Sequence, residues 1–211
     1  MKDGAGTNQP VDMGAADAAA IMKEARERAL RRLQPDHRAT FTAWGLGWLL
    51  GDGAMWLIVR GQHPYQGISP AGYAAAVLLA TLAAMASVES NRAESGVGGL
   101  SAVRRRLSFV SAFLAYAGVF ALEGALAHAG ADRPVLGVFE AAAPILVTGV
   151  VYFARAAAIQ DWSMTGLGLW LVIVGAASGF AGPEAVWGIC ALAVGPAFLL
   201  VAGLQLRLRR S

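Results

Sequence analysis

Three carboxylates stand inside apolar stretches of this chain: Asp52, Glu123 and Glu140. An acid in hydrocarbon is costly to hold, so acids so placed tend to face a partner, an ion pathway or a bound cation. Asp52 has Trp48 four residues before it and Trp56 four residues after it, and Trp44 continues the stripe. That spacing puts the four side chains on one face of a helix. An acid between indole rings suits an organic cation, which gains charge pairing and a cation–π contact. A proton can take the same place. The simpler reading is structural. Trp44 and Trp56 would then belong to the aromatic belts at the two membrane interfaces. Asp52, flanked by Gly51 and Gly53, would cap or bend a broken helix, and Glu123 and Glu140 would pair with Arg133, His128 or His63.

The acid among aromatics resembles the arrangement in small multidrug-resistance pumps. Those have four helices and place the acid differently, so membership is not implied. LLGDG at residues 49–53 is similar to the GxGD of intramembrane aspartyl proteases, but Leu49 replaces the first glycine and no other apolar segment carries a second aspartate. That chemistry is excluded. His37, His63 and His128 lie at the edges of apolar segments and do not face each other as haem ligands would. Cys190 is the one cysteine, which excludes a disulfide within the chain and any multi-cysteine metal site. No phosphate-binding, metalloprotease or nucleophile–base pattern occurs. No cofactor, metal or enzymatic activity is therefore expected.

The elements that must position these residues are helices in a membrane. Of 211 residues, 56% are hydrophobic and only 15% charged. Soluble domains carry roughly 25% charged residues, so most of this chain lacks a water-facing side. Mean hydropathy is +0.52. Crossing a hydrocarbon core takes about 20 apolar residues. Six segments fit: 40–60, 71–89, 108–129, 134–155, 163–182 and 185–206. Short links at Gly130 to Arg133 and around Pro183 predict three antiparallel hairpins, 1–2, 3–4 and 5–6. The expected fold class is thus an all-α integral membrane protein. Residues 1–38 form a cytoplasmic segment, 39–206 the six-helix domain and 207–211 a tail. No cleavable signal peptide is expected, because the first 38 residues are polar.

Orientation follows from Lys and Arg in the loops. Of the 17 such residues, only Arg60 and Arg133 fall on one side; the other fifteen lie in the N-terminal segment, the 90–107 loop, at Arg155 and in the tail. Both termini are therefore expected in the cytoplasm. With a rise of about 1.5 Å per residue, Asp52 lies roughly 12 Å from the outer end of its span, and Glu123 and Glu140 roughly 9 Å from theirs. All three fall in the outer half of the bilayer. The excess of Arg over Lys, with abundant Ala and Gly, points to a GC-rich bacterial genome and so to a bacterial plasma membrane.

Residues 12–34 read as an amphipathic helix, capped by Asp12 and stopped by Pro35, with Glu24/Arg28 and Glu27/Arg31 as favourable pairs. It would rest on the inner membrane surface or stand in solvent. Arg104, Arg105 and Arg106 suit anionic lipid headgroups. The same loop offers a docking place for a cytoplasmic protein, and a homo-oligomer is open. The basic excess has its explanation in topology, so no nucleic acid is expected. Gly47/Gly51, Gly175/Gly179 and the stripe Ala117, Ala121, Ala125 are small-residue patterns of the kind that mark helix contacts. GLGWLLGDGAMW at 45–56 and GLGLWLVIVGAASG at 166–179 suggest a duplicated hairpin. Pro144 and Pro196 interrupt helix hydrogen bonding and are hinge candidates.

These readings predict a small transporter- or permease-like protein. Asp52, Glu123 and Glu140 would form an acidic site in the outer half of the membrane, with Trp48 and Trp56 beside the substrate. The alternatives are a non-transporting anchor or regulatory partner, and a permease subunit driven by a separate ATPase.

Overall fold

The computed structural model describes residues 20–24, 38–92, 100–159 and 161–210. The chain forms two units, Met1–Pro35 and Asp36–Ser211. In the first, residues 20–24 are helical and lie within the expected helix 12–34; its Asp12 cap and its Arg28 and Arg31 partners fall outside the described residues. The second unit contains α1 (Arg38–Val59), α2 (Pro70–Arg92), α3 (Leu100–His128), α4 (Arg133–Ile159), α5 (Trp162–Ser178), a 3-10 turn (Gly179–Ala181) and α6 (Ala185–Arg210). No strand occurs among the described residues.

Four of these helices have stretches long and apolar enough to cross a membrane: Phe109–His128, Arg133–Ala157, Trp162–Ala181 and Ala185–Arg207. The described apolar part of α2 is shorter, Pro70–Met85. α1, with 22 residues, is not among these four. Large apolar side chains remain bare along the outside, among them Phe109, Phe113, Phe120, Leu192 and Leu200. Water does not tolerate such a surface on a monomer, whereas acyl chains do.

Local chemistry sets the helix ends. Pro70 opens α2, where its missing N–H has no helical partner to lose. Asp161 caps α5: its Oδ1 accepts from the backbone N–H of Ser163 at 2.8 Å and of Met164 at 3.2 Å. Gly130 and Gly182 adopt φ of +86° and +84° in the two tight links, a conformation side chains with a Cβ resist. α3 begins at Leu100 rather than at residue 108, so Arg104, Arg105 and Arg106 are helical rather than in a loop; their side chains lie outside the described residues.

The most extensive packing is between α1 and α6 and between α4 and α5. The sequential pairs α1–α2, α5–α6 and α3–α4 also touch, but less. Bare glycines explain the two main crossings. A Cβ on Gly45 would lie 3.0 Å from the Gly195 carbonyl oxygen, and one on Gly195 2.9 Å from that of Gly45. Gly149 and Gly168 do the same for α4 and α5, each 2.9 Å from the other's carbonyl oxygen. Close backbone approach of this kind gives dispersion contact where lipid removes the hydrophobic drive. Of the patterns expected from sequence, Gly175 approaches the backbone of Leu146 at 2.9 Å, whereas Gly47 and Gly51 face Ala83 and Leu79 at ordinary contact distance. Ala117, Ala121 and Ala125 are exposed.

The core lies among α1, α4, α5 and α6. Phe41, Tyr152 and Phe198 bring three helices together, with ring centroids 5.4 to 6.1 Å apart. α2 packs on α1, and α3 packs on α4; among the described residues α2 and α3 do not form a packed pair. None of the Phe109–His128 stretch of α3 is buried.

Candidate functional site

Glu140 stands in the second turn of α4, one turn before Pro144. Its Oε1 accepts a hydrogen bond from the Tyr73 hydroxyl at 2.6 Å. Tyr73 comes from the first turn of α2. From α3, the carboxyl of Glu123 comes within electrostatic range of that of Glu140. Three helices thus bring two carboxyls and a phenol together. The cluster is open on one side: Tyr73 is 44% exposed, and both glutamates are partly buried.

A fourth group enters from the link between α1 and α2. Tyr65 points into the bundle, and its ring end occupies the space where a side chain on Gly137 would begin. Its hydroxyl faces the indole N–H of buried Trp187, but neither atom makes a hydrogen bond of good geometry. Burial pushes the Tyr65 phenol above its ordinary range, the nearby Glu140 carboxylate adds to this, and the Trp187 N–H works against it. The link is itself organised. Gln62 donates to the carbonyls of Ile58 and Gly67 at 3.3 Å each and accepts from Gln66 N–H at 3.0 Å. His63 Nδ1 lies 3.3 Å from Glu184 Oε1, which ties the link to the start of α6.

Of the three acids picked out by sequence, Glu123 and Glu140 meet. Asp52 does not join them: its carboxyl lies in the core, only 8% exposed, and among the described residues no charged group acts on it. Its Oδ2 has no hydrogen-bond partner. Trp48 and Trp56 lie one turn on either side of it, both packed against the core. Trp56 covers Gly188 of α6, and the Arg60 guanidinium sits 5.6 Å from its ring centre. The Trp48 indole N–H is buried without a partner. Among the described residues, Glu123 and Glu140 form no ion pair with Arg133, His128 or His63; Glu140 bonds Tyr73, and Glu123 lies near Glu140.

Pro144 leaves the Glu140 carbonyl without its helical donor. Thr148, one turn on, donates to the Pro144 carbonyl at 2.6 Å and bonds the Tyr116 hydroxyl of α3, pinning α3 to α4 below the acid pair. Pro196 follows Gly195 directly, at the α1–α6 crossing. Sequence reasoning missed Tyr73, Tyr65 and Tyr116. Tyr73 had one usable signal, a hydroxyl near the outer end of its segment at the depth of both glutamates; an interfacial tyrosine gives the same signal, so depth alone does not separate them. Among the described residues no group of three metal-ligating side chains occurs. The chain matches no family model, no curated protein and no solved structure.

Proposed function

We propose that this is a multi-pass protein of a bacterial plasma membrane, with six spans, both termini in the cytoplasm, and a transporter- or permease-like activity centred on Glu123 and Glu140. The observation that carries the reading is the meeting of these carboxyls with Tyr73 between α2 and α3, two helices that leave each other unpacked. A purely structural acid pair in apolar surroundings would be expected to close itself off or to find a basic partner. This pair does neither. A cation entering beside the carboxyls would take the place of a proton carried there, and a returning proton would displace the cation. Exchange of that kind is what gradient-driven movement of an amine or quaternary ammonium compound requires. Tyr73 would hold Glu140 in place and add a ring face for the cation. The fifteen basic residues on one side support the orientation.

The test is uptake of ethidium and small quaternary ammonium compounds into proteoliposomes under an imposed pH gradient. The wild-type chain should take up at least one of them, and Glu123→Gln with Glu140→Gln should abolish that uptake while the protein stays monodisperse. Uptake that survives both substitutions, or none at all from the wild type, would sink the proposal.

A further inference from the structure

α1 and α6 run antiparallel and touch backbone to backbone at Gly45 and Gly195. Toward the start of α1 and the end of α6 they part. A Cβ on Gly195 would collide with Leu49 and the Gly45 oxygen, whereas one on Gly203, about two turns further along α6, would meet nothing within 4 Å. The space left between the two helices is a groove of about 710 Å³. Arg38, Thr42 and Leu46 line it from α1, and Leu199, Gly203 and Leu206 from α6. Each set recurs every three or four residues, so each is one stripe of its helix.

The groove has an apolar wall and a basic mouth. Leu46 and Leu199 stand at its deep end, and Arg38 lines its mouth. Arg207 follows Leu206, is exposed, and lies four residues beyond Gly203, so it continues the same row of α6. Among the described residues no acidic side chain lines the groove. From Leu46 to Arg38 the helix rises roughly 12 Å. One leaflet of a bilayer's hydrocarbon core is roughly 15 Å deep. The groove thus covers most of the distance from the membrane surface to the midplane, which is the reach of one acyl chain. An arginine at such an edge lays its stem on the apolar wall and carries its guanidinium at headgroup level. A guanidinium offers five N–H donors in a fork that fits two phosphate oxygens. Basic residues at the mouth of a cleft between membrane helices favour anionic headgroups. A second copy of the chain fits less well: the bilayer holds both copies in one orientation, and a two-fold pairing here would bring Arg38 and Arg207 to the same depth as their own counterparts.

We propose that the groove between α1 and α6 holds one anionic phospholipid, with its phosphate at Arg38 and Arg207 and an acyl chain lying over Gly203 between Leu46 and Leu199. The site shares no residue with the Glu123–Glu140–Tyr73 cluster and stands whether or not that cluster conducts anything.

Native mass spectrometry tests it. The full-length protein, purified in a mild detergent and freed of co-purified lipid, is mixed with equal amounts of phosphatidylglycerol and phosphatidylcholine, and the lipid that stays bound is counted. One phosphatidylglycerol per chain should be retained, several-fold over phosphatidylcholine. Arg38→Gln with Arg207→Gln should erase that preference. Gly203→Leu fills the groove from a position whose Cβ meets no other atom, and it should cut retention several-fold. Gly118→Leu, at an equally open position on α3, should leave retention unchanged. Equal retention of the two lipids by the wild-type chain, retention that ignores Gly203→Leu, a loss that Gly118→Leu shares, or a dimer without lipid would each overturn the proposal. Glu123→Gln with Glu140→Gln should keep the lipid, which separates failure of this site from failure of the transport reading.

Discussion

Replacing Gly168 by alanine tests whether α4 and α5 cross where the structure places them. The added Cβ would lie 2.6 Å from the Phe153 nitrogen, 2.9 Å from the Phe153 Cα and 2.9 Å from the Gly149 oxygen. All three are backbone atoms of α4, so no side chain can swing aside and the helices must separate. Overpacking of a tight contact costs about 1–3 kcal/mol. Alanine also favours a helix over glycine by up to about 1 kcal/mol, which partly offsets the clash. Gly166→Ala isolates that gain, since a Cβ there meets nothing within 4 Å. The difference between the two variants is the clash alone, and for a chain of this size it corresponds to a roughly 2–12 °C lower midpoint for Gly168→Ala. Thermal unfolding of both proteins in one detergent, at one scan rate, followed by tryptophan fluorescence, measures it. Equal midpoints, or a more stable Gly168→Ala, would refute the crossing and with it the placement of α4 that supports Glu140.

Two further outcomes follow from the same geometry. A fluorescent protein fused after Ser211 should mature and fluoresce in the cytoplasm, while alkaline phosphatase fused after Arg133 should be active outside; the reverse pattern would overturn the proposed orientation. Gly137→Ala collides with Tyr65, whose side chain can move, so its cost should largely vanish in a Tyr65→Ala background. Additive costs in that double-mutant cycle of unfolding midpoints would show that Tyr65 does not enter the bundle beside Gly137.

The helices were legible because membrane helices announce themselves one segment at a time. Length and apolarity are local properties, and the segment ends read from them fall close to those of α1, α2, α4 and α6. The start of α3 was less legible. Arg104, Arg105 and Arg106 read as loop because they are charged, yet a helix continues past the apolar stretch as long as its backbone bonds to itself. The presence of three costly acids was equally plain in the sequence. Their company was not. Depth can be counted along one helix, but the azimuth of each helix against its neighbours cannot. Glu123 and Glu140 come near each other because Tyr116 and Thr148 pin α3 to α4, which is itself seated on α5 at Gly149 and Gly168. Asp52, at much the same counted depth, is buried in the core instead, where Gly45 and Gly195 bring α1 onto α6. The sequence alone determined which residues are costly in a membrane and about how deep they lie. Only the packing of glycine against backbone decided which of them meet, because in lipid the rotation of a helix is set by close contact with its neighbours.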